Sequence, residues 1–297
     1  MGSNAPSRLP EILTRAGVVP ALHPENDMPI EMSRFYIAPP DYHMLIDDSH
    51  ILLSHGPKEN RHRPAIDPLF RSAALAYGPR VIGVVLTGLL DDGTAGLLAI
   101  KQRGGITVVQ DPADALYPSM PESALEHVAI DYVVPLVELA SLLVRLVQEE
   151  VPEDVTYVKP EDMKREVQQA EMETSVQMGA SDNHPGTPSV YSCPECGGVL
   201  WEIQDNGLLR FRCRVGHAFS IESIQEEQAD ALEEALWVAL KIVEEKISLT
   251  HRLLDIARKN GNEFLIKRYD ARAQEATRHA ELLRTILKRE EPATNVI

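Results

Sequence analysis

Residues 81–96 read VIGVVLTGLLDDGTAG. Val81–Leu86 is apolar and rich in β-branched side chains, the pattern of a strand buried on both faces of a parallel sheet. Thr87–Gly93 follows as a glycine-rich turn, and 94–103 is predicted to be a helix. Gly88 and Gly93 permit a tight turn with close backbone approach. Asp91 and Asp92 therefore fall just past the carboxyl end of a buried strand, where open α/β sheets place their working crevice. A carboxylate there can orient a histidine in a nucleophilic triad. It can equally cap the helix that follows, and the local pattern leaves both readings open.

Working outward, strands and helices alternate. Ile106–Val109 and Asp131–Val134 are predicted strands; Pro121–Glu126 begins one helix, and 137–148 forms another. Upstream, Leu9–Ala16 and Ala65–Tyr77 are predicted helices, and Phe35–Ala38 is a short strand stopped by Pro39-Pro40. His43–Ile46 and Ile51–Leu53 flank Asp47-Asp48-Ser49-His50, a hairpin signal. The alternation predicts a doubly wound, mainly parallel α/β sheet. Four regions follow: an α/β domain over 1–150, an acidic linker over 151–190 in which a polar stretch over 160–177 can be helical, a small cysteine-bearing unit over 191–219 and an antiparallel helical pair over 220–290.

The chain has 297 residues, 44% hydrophobic and 25% charged, the proportions of a globular protein. Its net charge of −16 sets it against phosphate backbones and anionic lipid, so nucleic acid is not an expected partner. No apolar run reaches the roughly 18 residues of a membrane span. The N-terminus, Met1–Pro6, shows no charged-then-apolar signal, and a cytoplasmic location is expected.

The segment Leu86–Gly96 resembles the strand–turn–helix that carries the acidic triad member of the chemotaxis protein-glutamate methylesterases. Further pieces match that family in order and spacing: Leu9–Leu13, Tyr36–His43, Arg63–Asp67, Leu69–Ala74, Gly104-Gly105, Gln110-Asp111-Pro112 and Met120-Pro121. The resemblance covers residues 9–147 and implies hydrolysis of glutamyl methyl esters on chemoreceptors, with glutamine deamidation as a second reaction of the family. It gives the acidic catalytic role to Asp92, directly before Gly93, and requires no catalytic cofactor.

The same resemblance places the nucleophilic serine after the first strand of the family's domain and the histidine after the second. Both would precede Leu9, where this sequence offers eight residues, so an N-terminally truncated domain with impaired catalysis is expected. Ser3 and Ser7 stand in no strand–turn context. His23, His43, His50, His55, His62 and His127 are read as solvated or structural, and Ser119 as a helix cap. Where the family has methionine-glycine, this chain has Leu89-Leu90. The alternative function is a non-enzymatic chemosensory scaffold that binds signalling partners.

All three cysteines lie between 193 and 213. Cys193-Pro-Glu-Cys196 is a metal knuckle, and Cys213-Arg-Val-Gly-His217 follows sixteen residues later. Gln204–Gly207 is a hairpin signal between the two pairs, so the chain can return the second pair to the first. Three thiolates and one imidazole make a closed tetrahedral site suited to structural Zn²⁺. Reduced cysteines in a small core, or a redox Cys-x-x-Cys, are the competing readings. Arg210, Arg212 and Arg214 alternate along one strand and are expected to form a solvated face.

Two long helices are predicted over 221–259 and 263–289, separated by Asn260-Gly261. Ser223 with Glu226 is the expected capping box of the first. Its apolar stripe is Ala229, Leu232, Leu236, Leu240, Val243, Ile247 and Leu254, and Leu265, Tyr269, Ala276, Leu283 and Leu287 mark the second. Trp201 and Trp237 are expected in cores. The stripes fit an intrachain hairpin or self-association through these helices.

Overall fold

The computed structural model describes residues 7–151, 160–171 and 186–289. Met1–Pro6, with Ser3, and the linker signals from Gly179 to Pro185 lie outside them. The chain divides into two units, Met1–Gln225 and Glu226–Ile297.

Helix α1 (Leu9–Ala16) opens the first unit. Three two-residue strands follow, β1 (Ala21–Leu22), β2 (Met28–Pro29) and β3 (Phe35–Tyr36), with β1 parallel to β3. β4 (His43–Asp47) and β5 (His50–Ser54) form the expected hairpin, and β2 joins the outer edge of β5. Helix α2 (Ile66–Tyr77) lies against β4, where the Ser72 hydroxyl accepts a hydrogen bond from the Ile46 N–H at 3.0 Å.

The parallel sheet comprises β6 (Ile82–Val85), β7 (Ile106–Gln110) and β8 (Tyr132–Val134), in that order. Helices α3 (Thr94–Gln102), α4 (Ser119–His127) and α5 (Leu136–Leu146) follow the successive strands. Side chains alternate across the pleat. Val85 and Val109 face Leu97 and Ile100 of α3, Ala74 of α2 and Ala124 of α4. Ile82, Val84, Ile106 and Val108 face Leu142 and Leu146 of α5. Helices thus cover both faces, which is why Val81–Leu86 is apolar at every position but Gly83. The strands run in sequence order; the order reversal that defines a doubly wound sheet is not found among the described residues.

Helix α6 (Glu161–Glu171) falls inside the predicted linker and is not linker-like. Met163, Glu166, Val167 and Ala170 are buried, and the Ala170 carbonyl accepts the Ser54 hydroxyl at 2.7 Å.

Four antiparallel strands follow, β9 (Thr187–Ser192), β10 (Val199–Asp205), β11 (Leu208–Cys213) and β12 (Ala218–Ser220), in the order β12-β11-β10-β9. The β10–β11 turn has positive φ at Asn206 (47°) and Gly207 (95°), the geometry of a tight hairpin. Leu200, Phe211, Phe219 and Ile224 make a small core beside Cys193 and Cys213.

Helix α7 (Ile221–Lys259) starts from a different cap than expected. The Ser220 N–H donates to the Ser223 hydroxyl at 2.8 Å, and the Ser223 N–H donates to the Ser220 hydroxyl at 2.9 Å. Ser220 is therefore the N-cap and Ser223 its third-residue partner, the reciprocal pattern of a capping box. Within the second unit, Gly261 (φ 65°) turns the chain into α8 (Glu263–Arg289). Leu240 packs with Ala280 and Leu287, and Arg284 pairs with Glu244 at 2.6 Å, so α7 and α8 form an antiparallel hairpin. Leu232 and Trp237 of α7 are exposed, and Trp201 is half-buried.

Candidate functional site

The turn after β6 is held tightly. A Cβ on Gly88 would lie 2.0 Å from the Met120 sulphur, so a larger residue there would have to displace the methionine side chain. Leu90 has φ 61° and Gly93 φ 98°, and a non-glycine residue in the left-handed region stores strain of about 1–3 kcal/mol. That turn aims the two adjacent carboxylates at different partners, and neither side chain caps α3.

Asp92 reaches back to the start of α2. Its carboxylate accepts the Ile66 N–H at 2.8 Å, the Asp67 N–H at 3.3 Å and the Asn60 amide at 3.2 Å. The Asn60 amide also donates to Asp67 at 2.8 Å, so it sits between two carboxylates. Asp67 is buried and accepts the Gly96 N–H at 2.6 Å. Burial, then the neighbouring Asp67 carboxylate, raises the Asp92 pKa above the usual carboxylate range, and burial raises that of Asp67. None of the three donors to Asp92 is a histidine.

Asp91 is buried and accepts the Ser220 hydroxyl, 129 positions along the chain, at 2.8 Å. Burial pushes its pKa up to about 7, against the pull of that hydrogen bond. The turn thus contacts the cysteine-bearing part of the chain directly.

His43 is buried, with one ring nitrogen 3.0 Å from the Pro57 carbonyl and the other accepting the Ala65 N–H at 3.2 Å. Burial lowers its pKa, and the two bonds fix a neutral tautomer, so its role is structural. His23 and His127 likewise bond the carbonyls of Ile37 and Ser123, at 2.9 and 3.0 Å. Ser119 is the first residue of α4 and makes no cap bond.

The four candidate metal ligands converge. Cys196 and Cys213 sulphurs are 3.7 Å apart, and His217 Nδ1 is 3.5 Å from Cys213 and 3.7 Å from Cys193. All four ligand atoms lie within 4.8 Å of one another, close enough to hold a metal ion. A tetrahedron with sulphur at about 2.3 Å and nitrogen at about 2.0 Å has edges of about 3.8 and 3.6 Å, which these separations match. The hydrogen bond between Cys193 and Cys213 lowers the Cys213 pKa and raises that of Cys193, as for two thiols that share one proton.

The arginines of β11 depart from expectation. Arg210 and Arg212 are buried, whereas Arg214 is exposed. Arg210 binds Glu166 of α6 in a fork at 2.8 and 2.9 Å and also pairs with Asp205. Arg212 donates to Glu59 at 3.0 Å and to Glu166 at 3.1 Å, while Arg71 of α2 donates to Glu59 at 2.6 Å. Burial alone would raise the Glu59 pKa; Arg212 and Arg71 outweigh it and hold Glu59 at about 2. Glu166 is lowered well below its usual value in the same way, chiefly by Arg210. A charged stripe on a strand gave no hint that its partners, Glu59 and Glu166, would bury it.

Residues 1–143 match the model of a family described as CheB methylesterase. Residues 1–143 are thus similar to that family. A Leptospira interrogans protein, provisionally named protein-glutamate methylesterase/protein-glutamine glutaminase, is 45% identical over 125 residues, which are 42% of this chain and 65% of that protein. The protein-glutamate methylesterase/protein-glutamine glutaminase of Pyrococcus abyssi is 42% identical over 128 residues, 42% of this chain and 34% of the relative. The crystal structure of the Thermotoga maritima CheB methylesterase catalytic domain aligns at 29% identity with a TM-score of 0.47, covering 50% of this chain and 80% of that one. The matched stretch spans less than two thirds of either curated relative. Within the matched stretch, Asp92 and the Arg63–Asp67 stretch stand out in the sequence. Asn60 and Glu59 were not, because their partners lie far away in sequence.

Proposed function

We propose that residues 9–147 supply the acidic half of a protein-glutamate methylesterase site, acting on glutamyl methyl esters of chemoreceptors and, as the relatives' names suggest, on glutamine side chains. The observation that carries this reading is Asp92: a carboxylate past the end of a parallel strand, fixed by three donors. In the reaction a serine hydroxyl attacks the ester carbonyl, and a histidine takes its proton and passes it to the departing methanol oxygen. Water then releases the acyl group by the same route. Asp92 orients the histidine, and backbone N–H groups stabilise the oxyanion. An imidazole N–H on Asp92 would oppose the upward pull of burial and Asp67.

Methanol release from a methylated receptor tests this. A chain that sets a serine–histidine pair beside Asp92 is expected to turn over, and to lose on the order of 10³-fold or more in kcat on Asp92→Asn. Turnover that Asp92→Asn leaves unchanged would overturn the role given to Asp92. Absence of any methanol release would favour the scaffold instead.

Cys193, Cys196, Cys213 and His217 are proposed to hold a structural Zn²⁺. All four positions are filled by protein, so the ion would stabilise the fold of 187–220 as a zinc-ribbon-like unit and take no part in ester chemistry. No helix of the described residues is long and apolar enough to cross a membrane. A cytoplasmic place beside chemoreceptors fits that reading. Exposed Val238, Ile242, Leu249 and Ile256 on α7 support self-association. A monomeric mass in sedimentation at every concentration would exclude it.

A further inference from the structure

Three consecutive residues of the methylesterase segment are each bound by a neighbour of a candidate metal ligand. Lys58 pairs at 2.7 Å with Glu195, which lies between Cys193 and Cys196. The Glu59 carboxylate accepts Arg212, the residue before Cys213, at 3.0 Å. The Asn60 N–H donates at 2.9 Å to the carbonyl of Ala218, the residue after His217, and the Ala218 N–H donates back to the Lys58 carbonyl at 3.3 Å. Arg212 also holds the loop between Cys213 and His217, donating to the Gly216 carbonyl at 3.0 Å. The 58–60 segment is therefore laid along the edge of the cysteine unit as an extra strand-like rung.

That segment does not rest in a relaxed conformation. Asn60 has φ 48° and Arg61 φ 70°, two adjacent non-glycine residues in the left-handed region. Asparagine visits that region readily, whereas for Arg61 it costs about 1–2 kcal/mol and persists where surrounding bonds impose it. The side chain at the centre of this imposed turn is the Asn60 amide, which bridges Asp67 and Asp92.

We infer that metal binding at Cys193, Cys196, Cys213 and His217 positions Asp92 through Asn60, so that the ribbon acts as a metal-dependent support for the acidic residue of the methylesterase segment. The inference rests on the proposed metal site and on no catalytic result. Asn60 is a positioning residue: it touches Asp92 and no reacting atom. With the metal bound, the knuckle and the Cys213–His217 loop are rigid, and Glu195, Arg212 and Ala218 hold 58–60 in its strained turn. With the metal gone, those three anchors lose their common frame, the turn relaxes and the Asn60 amide leaves the two carboxylates.

Hydrogen exchange of the full chain, metal-loaded and after removal of the metal by a strong chelator, tests this, with elemental analysis run in parallel. The Ile66 and Asp67 amides report directly, because they donate to Asp92. Chelation is expected to speed their exchange at least tenfold together with that of Asn60, while Val108 and Val109 in the parallel sheet keep theirs. A rise confined to 187–220 overturns the inference and leaves the metal site standing. A rise shared equally by Val108 and Val109 also overturns it, since the whole fold is then lost. Absence of any metal from the purified chain removes the metal site and the inference together. Asn60→Ala in the metal-loaded chain is the independent check. It is expected to speed exchange at Ile66 and Asp67 with metal content unchanged, and unaltered exchange there would overturn the inference.

Discussion

The parallel sheet and the seam beside it are buried by opposite chemistries. Between β6, β7 and their helices the interior is Val85, Leu97, Ile100, Val108 and Val109. Between α2, α6 and β11 it is Arg71, Arg210 and Arg212 against Glu59 and Glu166. The apolar interface gains from every methylene removed from water and tolerates small shifts in geometry. The ionic seam must first repay desolvation, and it leaves the Nε atoms of all three arginines without a hydrogen bond. Its pairings join β11 and α6 to Glu59 and Arg71 charge against charge. An apolar layer builds the sheet, and a charged layer fixes what is set against it.

The largest effect is expected from the metal proposed at Cys193, Cys196, Cys213 and His217. Chelation, or Cys213→Ser, should unfold 187–220, because metal binding in units of this size contributes on the order of 10 kcal/mol. Circular dichroism and thermal melting would show it, and an unchanged melt would mean that the small core of Leu200, Phe211 and Phe219 suffices alone. Next, Glu166→Ala should cost about 3–5 kcal/mol in denaturant unfolding, since it leaves Arg210 and Arg212 buried without their shared partner. Leu97→Ala in the sheet should cost about 2–5 kcal/mol by leaving a cavity. The two losses differ in how they can be repaired. Adding Arg210→Met and Arg212→Leu to a Glu166→Leu chain should recover much of the first loss, because the charges go together. If the triple variant is no more stable than Glu166→Ala, the seam carries packing that the charges alone do not explain.

A smaller effect separates the two kinds of buried acid by pH. Glu59 is held at about 2 in the fold, so its stabilisation is present above the unfolded value of roughly 4.5 and is lost as pH falls from there toward 2. Asp91 runs the other way. Its pKa is raised to about 7, the fold prefers it protonated, and stability declines as pH rises from about 4 to 7. Asp91→Asn keeps an oxygen to accept the Ser220 hydroxyl, so it should stabilise by about 1–2 kcal/mol at pH 8 and change little at pH 4. Equal effects at both values would show that Asp91 is ionised in the fold. The smallest change should come from Arg214→Ala, within about 0.5 kcal/mol, because that exposed arginine lies outside the seam that captures Arg210 and Arg212.

Legibility followed the chemistry of each interface. The strand over 81–86 announced its burial through unbroken apolar residues, and the helices over 221–259 and 263–289 through spacing and a glycine stop. The cysteine spacing foretold that Cys193, Cys196, Cys213 and His217 converge, since a knuckle and a hairpin return are both local. The α6 helix fell within a stretch read as open to helix, but its burial was hidden, because an acidic stretch has the composition of a linker whether its glutamates meet water or arginines. Asp92 was legible as a residue at a sheet mouth. Its bonds to Ile66, Asp67 and Asn60 were not, and neither was the bond from Ser220 to Asp91.

What the sequence by itself determined is the order of elements, the two-sided burial of the parallel strands and the four convergent ligands, because each depends on periodicity or spacing within a few residues. Only the tertiary structure decided that β11 and α6 close over Glu59 and Arg71, and that the residues beside the ligands grip 58–60. Opposite charges attract at any sequence separation, and no repeat or spacing records which arginine a distant glutamate will meet.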